Sequence, residues 1–341
     1  MNMNSKRLGR QTVRFSDPPR ICAAASVVGD KEADGPLGGR FDVEEPDAYF
    51  GQSTWESAES AMLRRCLTKL LAAGQTRPEE LDYLLAGDLQ NQCTASSFAV
   101  RGVRAPYLGL YSACATFAEA VGLAAVLIDG GFAARCAALA SSHFCAAERQ
   151  YRFPLEYGGV RTPTAQWTVT GAGGLLLGSE GEGPRVTMMT AGIIADPGIT
   201  DMSNMGAAMA PAAFETLRAH FAEASAAPED YDLILTGDLG HIGRTVVADL
   251  FSREGVALGE RYDDCGRRIF DRERQDVHAG GSGAGCSAAV FAGEILPRLR
   301  SGELRRVLLA STGALMSPTS AMQGESIPAI CHAVCFEGVA K

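Results

Sequence analysis

The sequence predicts an α/β fold of two similar halves related by a pseudo-twofold axis, layered α, β, α, β, α. Three observations carry that expectation. The chain repeats itself at near-constant offsets, each copy alternates apolar strand runs with helical runs, and two Ala- and Gly-rich helices are too apolar to lie on a surface.

The first repeat pairs "PEELDYLLAGDL" (78–89) with "PEDYDLILTGDL" (228–239), seven identities in twelve positions at an offset of 150. Each copy reads as a Pro-initiated turn, a short apolar strand and a Gly-Asp loop opening the next helix. A helix precedes each copy. Ser53 with Glu56 forms a capping-box signal, after which Trp55, Ala58, Met62, Cys66 and Leu70 share one face before Gly74 stops the helix. Phe214, Leu217 and Phe221 play that part in the second half.

A second pairing at offset 170 sets Ser112 against Ser282, Cys114 against Ala284, and Leu139-Ala140-Ser141 against Leu309-Ala310-Ser311. A third, at offset 160, sets the strand 168–177 ("TVTGAGGLLL") against 328–337 ("PAICHAVCFE"). Three blocks in the same order divide the chain near Gly183-Pro184 into halves 1–184 and 185–341. The expected sheets are mixed and largely parallel, and the helices starting at Cys114 and Gly283 form the buried layer between them.

A net charge of −9 argues against nucleic acid as a partner and against adsorption to anionic membranes, because both need clustered Lys and Arg. The N-terminus has no apolar run behind its basic residues, so no secretory signal is expected. The most lipid-like stretch, 121–140, is interrupted by Asp129, Gly130, Gly131 and Arg135. Ten cysteines without a CxxC pair read as reduced thiols of a cytosolic-type protein. Cys331-His332-xx-Cys335 lies in an apolar strand run without a second ligand pair, so a structural role is expected rather than a metal site.

Two such halves, with a cysteine where the first central helix begins, resemble the thiolase superfamily. The words "GPLGGRFD" (35–42), "AGDLQNQ" (86–92), "ACATFAEA" (113–120), "GITDMSNMGAAMAPAA" (198–213), "AGGSGAGCSA" (279–288) and "TGALMSPT" (312–319) are more specific. With "LIDGGFAARCAALASSHFCAAERQYRFPLEYGG" (127–159) they run nearly end to end and are similar to the stage V sporulation protein AD family of spore-forming bacteria. That resemblance implies a thiolase-like fold and non-enzymatic binding of dipicolinic acid with Ca²⁺, the ion arriving as the dipicolinate complex and no resident cofactor being needed. It further implies a homodimer, peripheral on the spore inner membrane beside the membrane proteins of the same operon, moving dipicolinate in during sporulation and out at germination.

The other reading is an acyltransferase with Cys114 as nucleophile, and a third is a purely structural adaptor. A reactive thiol needs a helix N-terminus and a neighbouring base. Relatives of the ketoacyl synthase III type supply bases from two second-half loops, which here read "ILTGDLGHIG" and "DVHAGGSGAG". Gly237 and Asp238 stand where that pattern has His, His241 falls several residues late, and Gly281-Ser282-Gly283 follows His278 at a different spacing. The bases are therefore expected to be absent.

The same scaffold suits a small dianion, since a helix start presents free N–H groups. The expected ligand-binding set is Asp88, Ser112, Cys114, Ser141, Ser142, His143, Asp238, His241, His278 and Ser282. Asp88 and Asp238, in equivalent loops, face a cation or cap helices. The long segment 141–166, bearing Arg149 and Arg152, reads as a pocket cover, and 204–213 as an apolar lining or core.

Overall fold

The computed structural model describes residues 6–151 and 159–339. Besides the short strands Thr12–Arg14, Val43–Glu45 and Trp167–Thr168, five strands build the sheet of the first half: β1 (Arg20–Gly29), β2 (Tyr83–Gly87), β3 (Tyr107–Gly109), β4 (Arg135–Ser142) and β5 (Gly171–Gly178). Five follow in the second: β6 (Arg185–Thr190), β7 (Leu233–Thr236), β8 (Tyr262–Asp264), β9 (Arg306–Ala314) and β10 (Ala329–Glu337). The first set is ordered β3-β2-β4-β5-β1 and the second β8-β7-β9-β10-β6, so equivalent strands occupy equivalent places. The two sheets meet at one residue pair, Arg20 with Arg185.

Strand sense repeats as well. β2 runs parallel to β3 and β4, whereas β4–β5 and β5–β1 are antiparallel. In the second half β7 is parallel to β8 and β9, and β9–β10 and β10–β6 are antiparallel. Each sheet is thus half parallel, not largely parallel as the alternation of elements suggested. The link from β9 to β10, residues 315–328, carries only the five-residue helix Pro318–Met322, and the chain returns antiparallel.

The outer helices are amphipathic. Helix α1 (Trp55–Ala73) buries Ala58, Met62, Leu63, Cys66, Leu67 and Leu70 against β1 and β5. Its cap is Thr54, extended at φ −136°, whose hydroxyl accepts the Ser57 N–H at 3.3 Å; the expected box began one residue earlier, at Ser53. Helix α2 (Thr94–Ala99) is short, and α4 (Phe144–Tyr151) follows β4. Helix α5 (Met205–Ala224) packs on β9 and β10; its start, the Met- and Ala-rich segment 204–213, is largely core. Helix α6 (Gly240–Arg253) follows β7.

Helix α3 (Thr116–Asp129) and helix α7 (Ala284–Val290) form the layer between the sheets. All seven residues of α7 are buried. Its backbone comes so close to β5 that a Cβ on Gly173 would lie 2.2 Å from the Ala288 carbonyl carbon. Phe117 and Phe291 meet across the layer with centroids 6.0 Å apart; burying such a ring contributes roughly 1.5–3 kcal/mol.

The repeat changes register inside this layer. Ala113 and Gly283, each left-handed just before its helix, are 170 apart, but Gly131 and Gly302, each left-handed just after it, are 171 apart. The extra residue is housed in a π-helical turn, Phe291–Ile295, through which α7 runs on into α8 (Leu296–Arg300). The following strand is shifted accordingly. Asp82 accepts the N–H groups of Ala134 and Arg135, and Asp232 those of Arg305 and Arg306. Leu139, paired with Ala86, therefore corresponds to Ala310, paired with Thr236, and not to Leu309. The β5/β10 offset is likewise 159: Arg135 pairs with Gly178 and Arg306 with Glu337.

Candidate functional site

Cys114 stands on a tight turn at the start of α3. Ala113 holds φ 49°, a region non-glycine residues seldom adopt, and β9 lies directly beneath: a Cβ on Gly313 would be 2.2 Å from the Ser112 carbonyl oxygen. The second-half turn supplies Cys114 with its neighbours. The Cys114 Sγ is 4.0 Å from Ser282 Oγ, and Ser282 donates to Asp238 Oδ2 at 2.8 Å. The Gly283 N–H donates to the same oxygen at 3.1 Å, and the Thr312 hydroxyl donates to Oδ1 at 2.6 Å.

This arrangement opposes thiolate formation. Burial and then the Asp238 carboxylate push the Cys114 thiol well above its ordinary value. Burial also raises Asp238, with the bonds from Thr312 and Gly283 pulling the other way. A nucleophilic cysteine needs a cation or base beside it. Here a carboxylate and a hydroxyl occupy those places.

Ser112 faces a residue that sequence reasoning treated only as structural. Its Oγ lies 3.3 Å from His332 Nε2, while Gly192 N–H donates to His332 Nδ1 at 3.2 Å. The Nε2 atom therefore carries the proton and donates to Ser112. Burial pushes His332 down to about 4, so the ring is neutral near pH 7. Strand alternation places His332 with Val334 and Phe336 toward the central layer, whereas Cys331, Ala333 and Cys335 pack with α5. The three do not converge as metal ligands, and among the described residues no group of three or more His, Cys, Asp and Glu could hold a metal ion.

The other expected residues lie elsewhere. Asp88 is buried inside the first half, where Oδ2 accepts the Ser96 N–H and hydroxyl at 2.7 Å, so it caps α2 instead of facing Cys114. Ser141 donates to Glu59 at 2.9 Å, and Glu59 also accepts from Gln90. Burial, joined by the Asp88 charge, raises Glu59, and burial raises Asp88. Glu59 falls within the apolar stripe of α1, and a charge in such a stripe is the signal that could have revealed this buried carboxyl pair. Ser142 Oγ donates to the Val169 carbonyl and accepts the Gly285 N–H, tying β4 to α7. His143 Nε2 is 2.7 Å from the Ala48 carbonyl oxygen, and burial lowers its pKa.

Neither expected second-half histidine reaches Cys114. His241 lies on the first turn of α6 and lines a surface cavity with Arg244, Arg267 and Arg272, because the chain leaves the Asp238 loop outward at Gly240. His278, left-handed at φ 48°, is half-buried beside Asp276 at 3.1 Å. Gln166 is the link missed between the loops. Its Nε2 donates to the carbonyls of Asp238 at 2.6 Å and Gly281 at 2.9 Å, and the strand Trp167–Thr168 pairs with Gly281–Ser282. The cover segment of the first half thereby holds both second-half site loops.

Two tyrosines lie in the neighbourhood of Cys114. Their hydroxyls, on Tyr111 and Tyr151, are 3.4 Å apart, and Tyr151 donates to the Leu89 carbonyl. Outside Tyr151 is a cavity of about 560 Å³ lined by Arg149, Gln150, Tyr151, Met202, Ser203, Pro318 and Met322. Arg149 pairs with Glu56 and lies 4.9 Å from the centre of the Trp55 ring. Arg152 lies outside the described residues. Among those residues, no helix is long and apolar enough to cross a membrane.

With the geometry fixed, comparison with known proteins supplies the relationship. The profile of the family described as stage V sporulation protein AD (SpoVAD) matches residues 9–337. Stage V sporulation protein AD of Bacillus subtilis (strain 168) is 43% identical over 332 residues, 97% of this chain and 98% of that protein. Among solved structures, 3-oxoacyl-[acyl-carrier-protein] synthase III of Aquifex aeolicus VF5 has TM-score 0.52 at 13% identity, covering 94% of this chain and 99% of that one. A single-residue variant of OleA of Xanthomonas campestris has TM-score 0.60 at 14% identity, covering 94% and 98%. FabH of Xanthomonas oryzae pv. oryzae has TM-score 0.59 at 13% identity, covering 95% and 100%. At these identities the likeness shows a shared fold, and that fold is thiolase-like. The sequence match shows the family: this chain belongs to the stage V sporulation protein AD family.

Proposed function

We propose that this protein binds dipicolinic acid, as its Ca²⁺ complex, without catalysing a reaction, and serves as a peripheral subunit of a spore membrane transport complex. The observation that carries the non-enzymatic part is the environment of Cys114. Burial and the Asp238 carboxylate hold the thiol protonated, and neither His241 nor His278 is placed to remove the proton. The cavity outside Tyr151 supports the binding part. Arg149, beyond its pairing with Glu56, and Gln150, beyond its bond to Asn91, offer N–H donors to carboxylates, while Met202, Met322 and Pro318 offer apolar contact to a flat aromatic ring.

Ca²⁺ prefers oxygen ligands, and the oxygens of Asp238 are already engaged by Ser282, Gly283 and Thr312. The ion therefore enters with the ligand's own carboxylates. Edge strand β3 leaves Leu108 and, just beyond it, Tyr111 exposed, a surface suited to pairing with a second copy in a homodimer. Two measurements test the reading: calorimetric titration with dipicolinate with and without Ca²⁺, and intact-protein mass after incubation with acetyl- or malonyl-CoA. Saturable binding without an acyl adduct is expected. A Cys114-dependent adduct that turns over would establish the acyltransferase reading.

A further inference from the structure

The surface cavity beside α6 carries a charge opposite to that of the chain. Its volume is about 430 Å³, and His241, Ile242, Arg244, Thr245, Val246, Arg267 and Arg272 line it. Three lining residues are arginines and none is acidic, in a protein of net charge −9. Beneath them lies Asp263, whose carboxylate is divided among Arg267 at 2.8 Å, Arg268 at 2.8 Å and Arg244 at 3.8 Å. The Arg244 Nε atom is buried and has no hydrogen-bond partner, although Nη2 donates to the Tyr262 carbonyl at 2.8 Å. Arg272 is exposed and has no ion-pair partner among the described residues.

Guanidinium forks match the oxygens of a phosphoryl group two at a time, and a concave site of this volume has the size of a small-ligand pocket. Ile242 and Val246, half-buried on adjacent turns of α6, offer an apolar flank for the organic part of a phosphate ester, while the Thr245 hydroxyl beside them donates to the His241 carbonyl at 2.8 Å. The N-terminus of α6 is not the attraction, because the Leu239 and Gly240 amides already donate to Asp264 at 2.8 and 2.9 Å. We propose that this groove is a phosphate-ester site, separate from the Cys114 turn, in which Arg244, Arg267 and Arg272 grip a phosphoryl group. The group can be carried by a soluble metabolite or by a lipid headgroup.

The full-length protein is titrated calorimetrically with pyrophosphate at fixed ionic strength, set with chloride, and vesicles of phosphatidic acid in phosphatidylcholine are tested by co-sedimentation. Saturable pyrophosphate binding is expected, weakened at least tenfold in Arg272→Ala and Arg272→Glu and unchanged in Arg218→Ala, whose side chain pairs with Glu215 and Glu254 elsewhere. Since Arg272 is exposed, its variants are expected to fold, and circular dichroism checks that. Vesicle binding displaced by pyrophosphate assigns the headgroup source; pyrophosphate binding without vesicle binding assigns the soluble one. Absence of saturable binding, or equal affinity in both Arg272 variants and wild type, overturns the proposal.

Discussion

Replacing Asp238 by Asn isolates the charge that keeps Cys114 protonated. Asp238 Oδ2 lies within about 7 Å of the Cys114 sulfur, because Ser282 bridges them with contacts of 4.0 and 2.8 Å. At an effective dielectric near 20, a unit charge at that outer limit disfavours the thiolate by at least ~2.4 kcal/mol, about 1.7 pKa units. Asn preserves most of the local bonding. Its carbonyl oxygen can still accept from Ser282 and the Gly283 N–H, and the Thr312 hydroxyl can rotate from donor to acceptor toward the new amide. Ala at this position would instead strand three donors, at ~1–3 kcal/mol each.

The assay is the rate of iodoacetamide modification at Cys114 against pH, read from the Cys114 peptide by mass spectrometry so that the other nine cysteines do not interfere. Asp238→Asn is expected to move the profile to lower pH and raise the rate at pH 8 by about 10- to 100-fold. The gain shrinks as pH falls through the raised pKa of Asp238, where the wild-type charge disappears as well. An unchanged profile, or one moved to higher pH, would refute the assigned role of Asp238.

Other consequences concern stability and assembly. His220, buried between Thr190 and Tyr231, is pushed down to about 4 by burial and then by Arg306, whereas burial raises Glu32 to about 8. Between about pH 4 and 6.5 the unfolded state holds a proton on His220 that the fold does not, so stability rises with pH by ~3 kcal/mol from this group. Between about 4.5 and 8 the fold keeps a proton on Glu32 that the unfolded chain has lost, so stability falls with pH by up to ~5 kcal/mol. Urea unfolding against pH should show the rise flattened in His220→Gln and the decline flattened in Glu32→Gln; unaltered slopes would contradict those assignments. Gly313→Ala should cost ~2–4 kcal/mol in the same assay, since its Cβ would strike the Ser112 carbonyl, and a neutral result would mean the Cys114 turn yields freely. Leu108→Lys on the edge of β3 should convert a dimer to monomer in sedimentation velocity; an unaltered dimer would place the interface elsewhere.

The duplication made the paired strand order legible, because "PEELDYLLAGDL" and "PEDYDLILTGDL" mark the same strand and loop in both halves. The following block pairs one residue away from its sequence alignment for a physical reason. Similar Leu-Ala-Ser triplets align at 170, while the π-helical turn at Phe291–Ile295 absorbs an insertion and carries the strand pairing to 171. Cys114, Asp238 and Ser282 come together because each sits on a loop the repeat identifies. Asp88 looked equivalent to Asp238, but no repeat reveals that Ser96 and Gln90 occupy its carboxylate. His241 and His278 neighbour the site in sequence and leave it in space, since one helical turn or one left-handed residue redirects a side chain entirely. His332 and Gln166 arrive from a strand and a segment distant in sequence, and only the packing of the two halves shows them.

Binding in the cavity outside Tyr151 without chemistry at the Cys114 thiol is the central claim, and one calorimetric comparison tests it most directly. Dipicolinate with Ca²⁺ is titrated into wild type, Cys114→Ala and Arg149→Ala. Saturable binding is predicted for wild type, with Cys114→Ala within about threefold, and at least tenfold weaker binding for Arg149→Ala, which removes a guanidinium from the cavity. No saturable heat from folded wild-type protein, or full affinity in Arg149→Ala, would contradict the account.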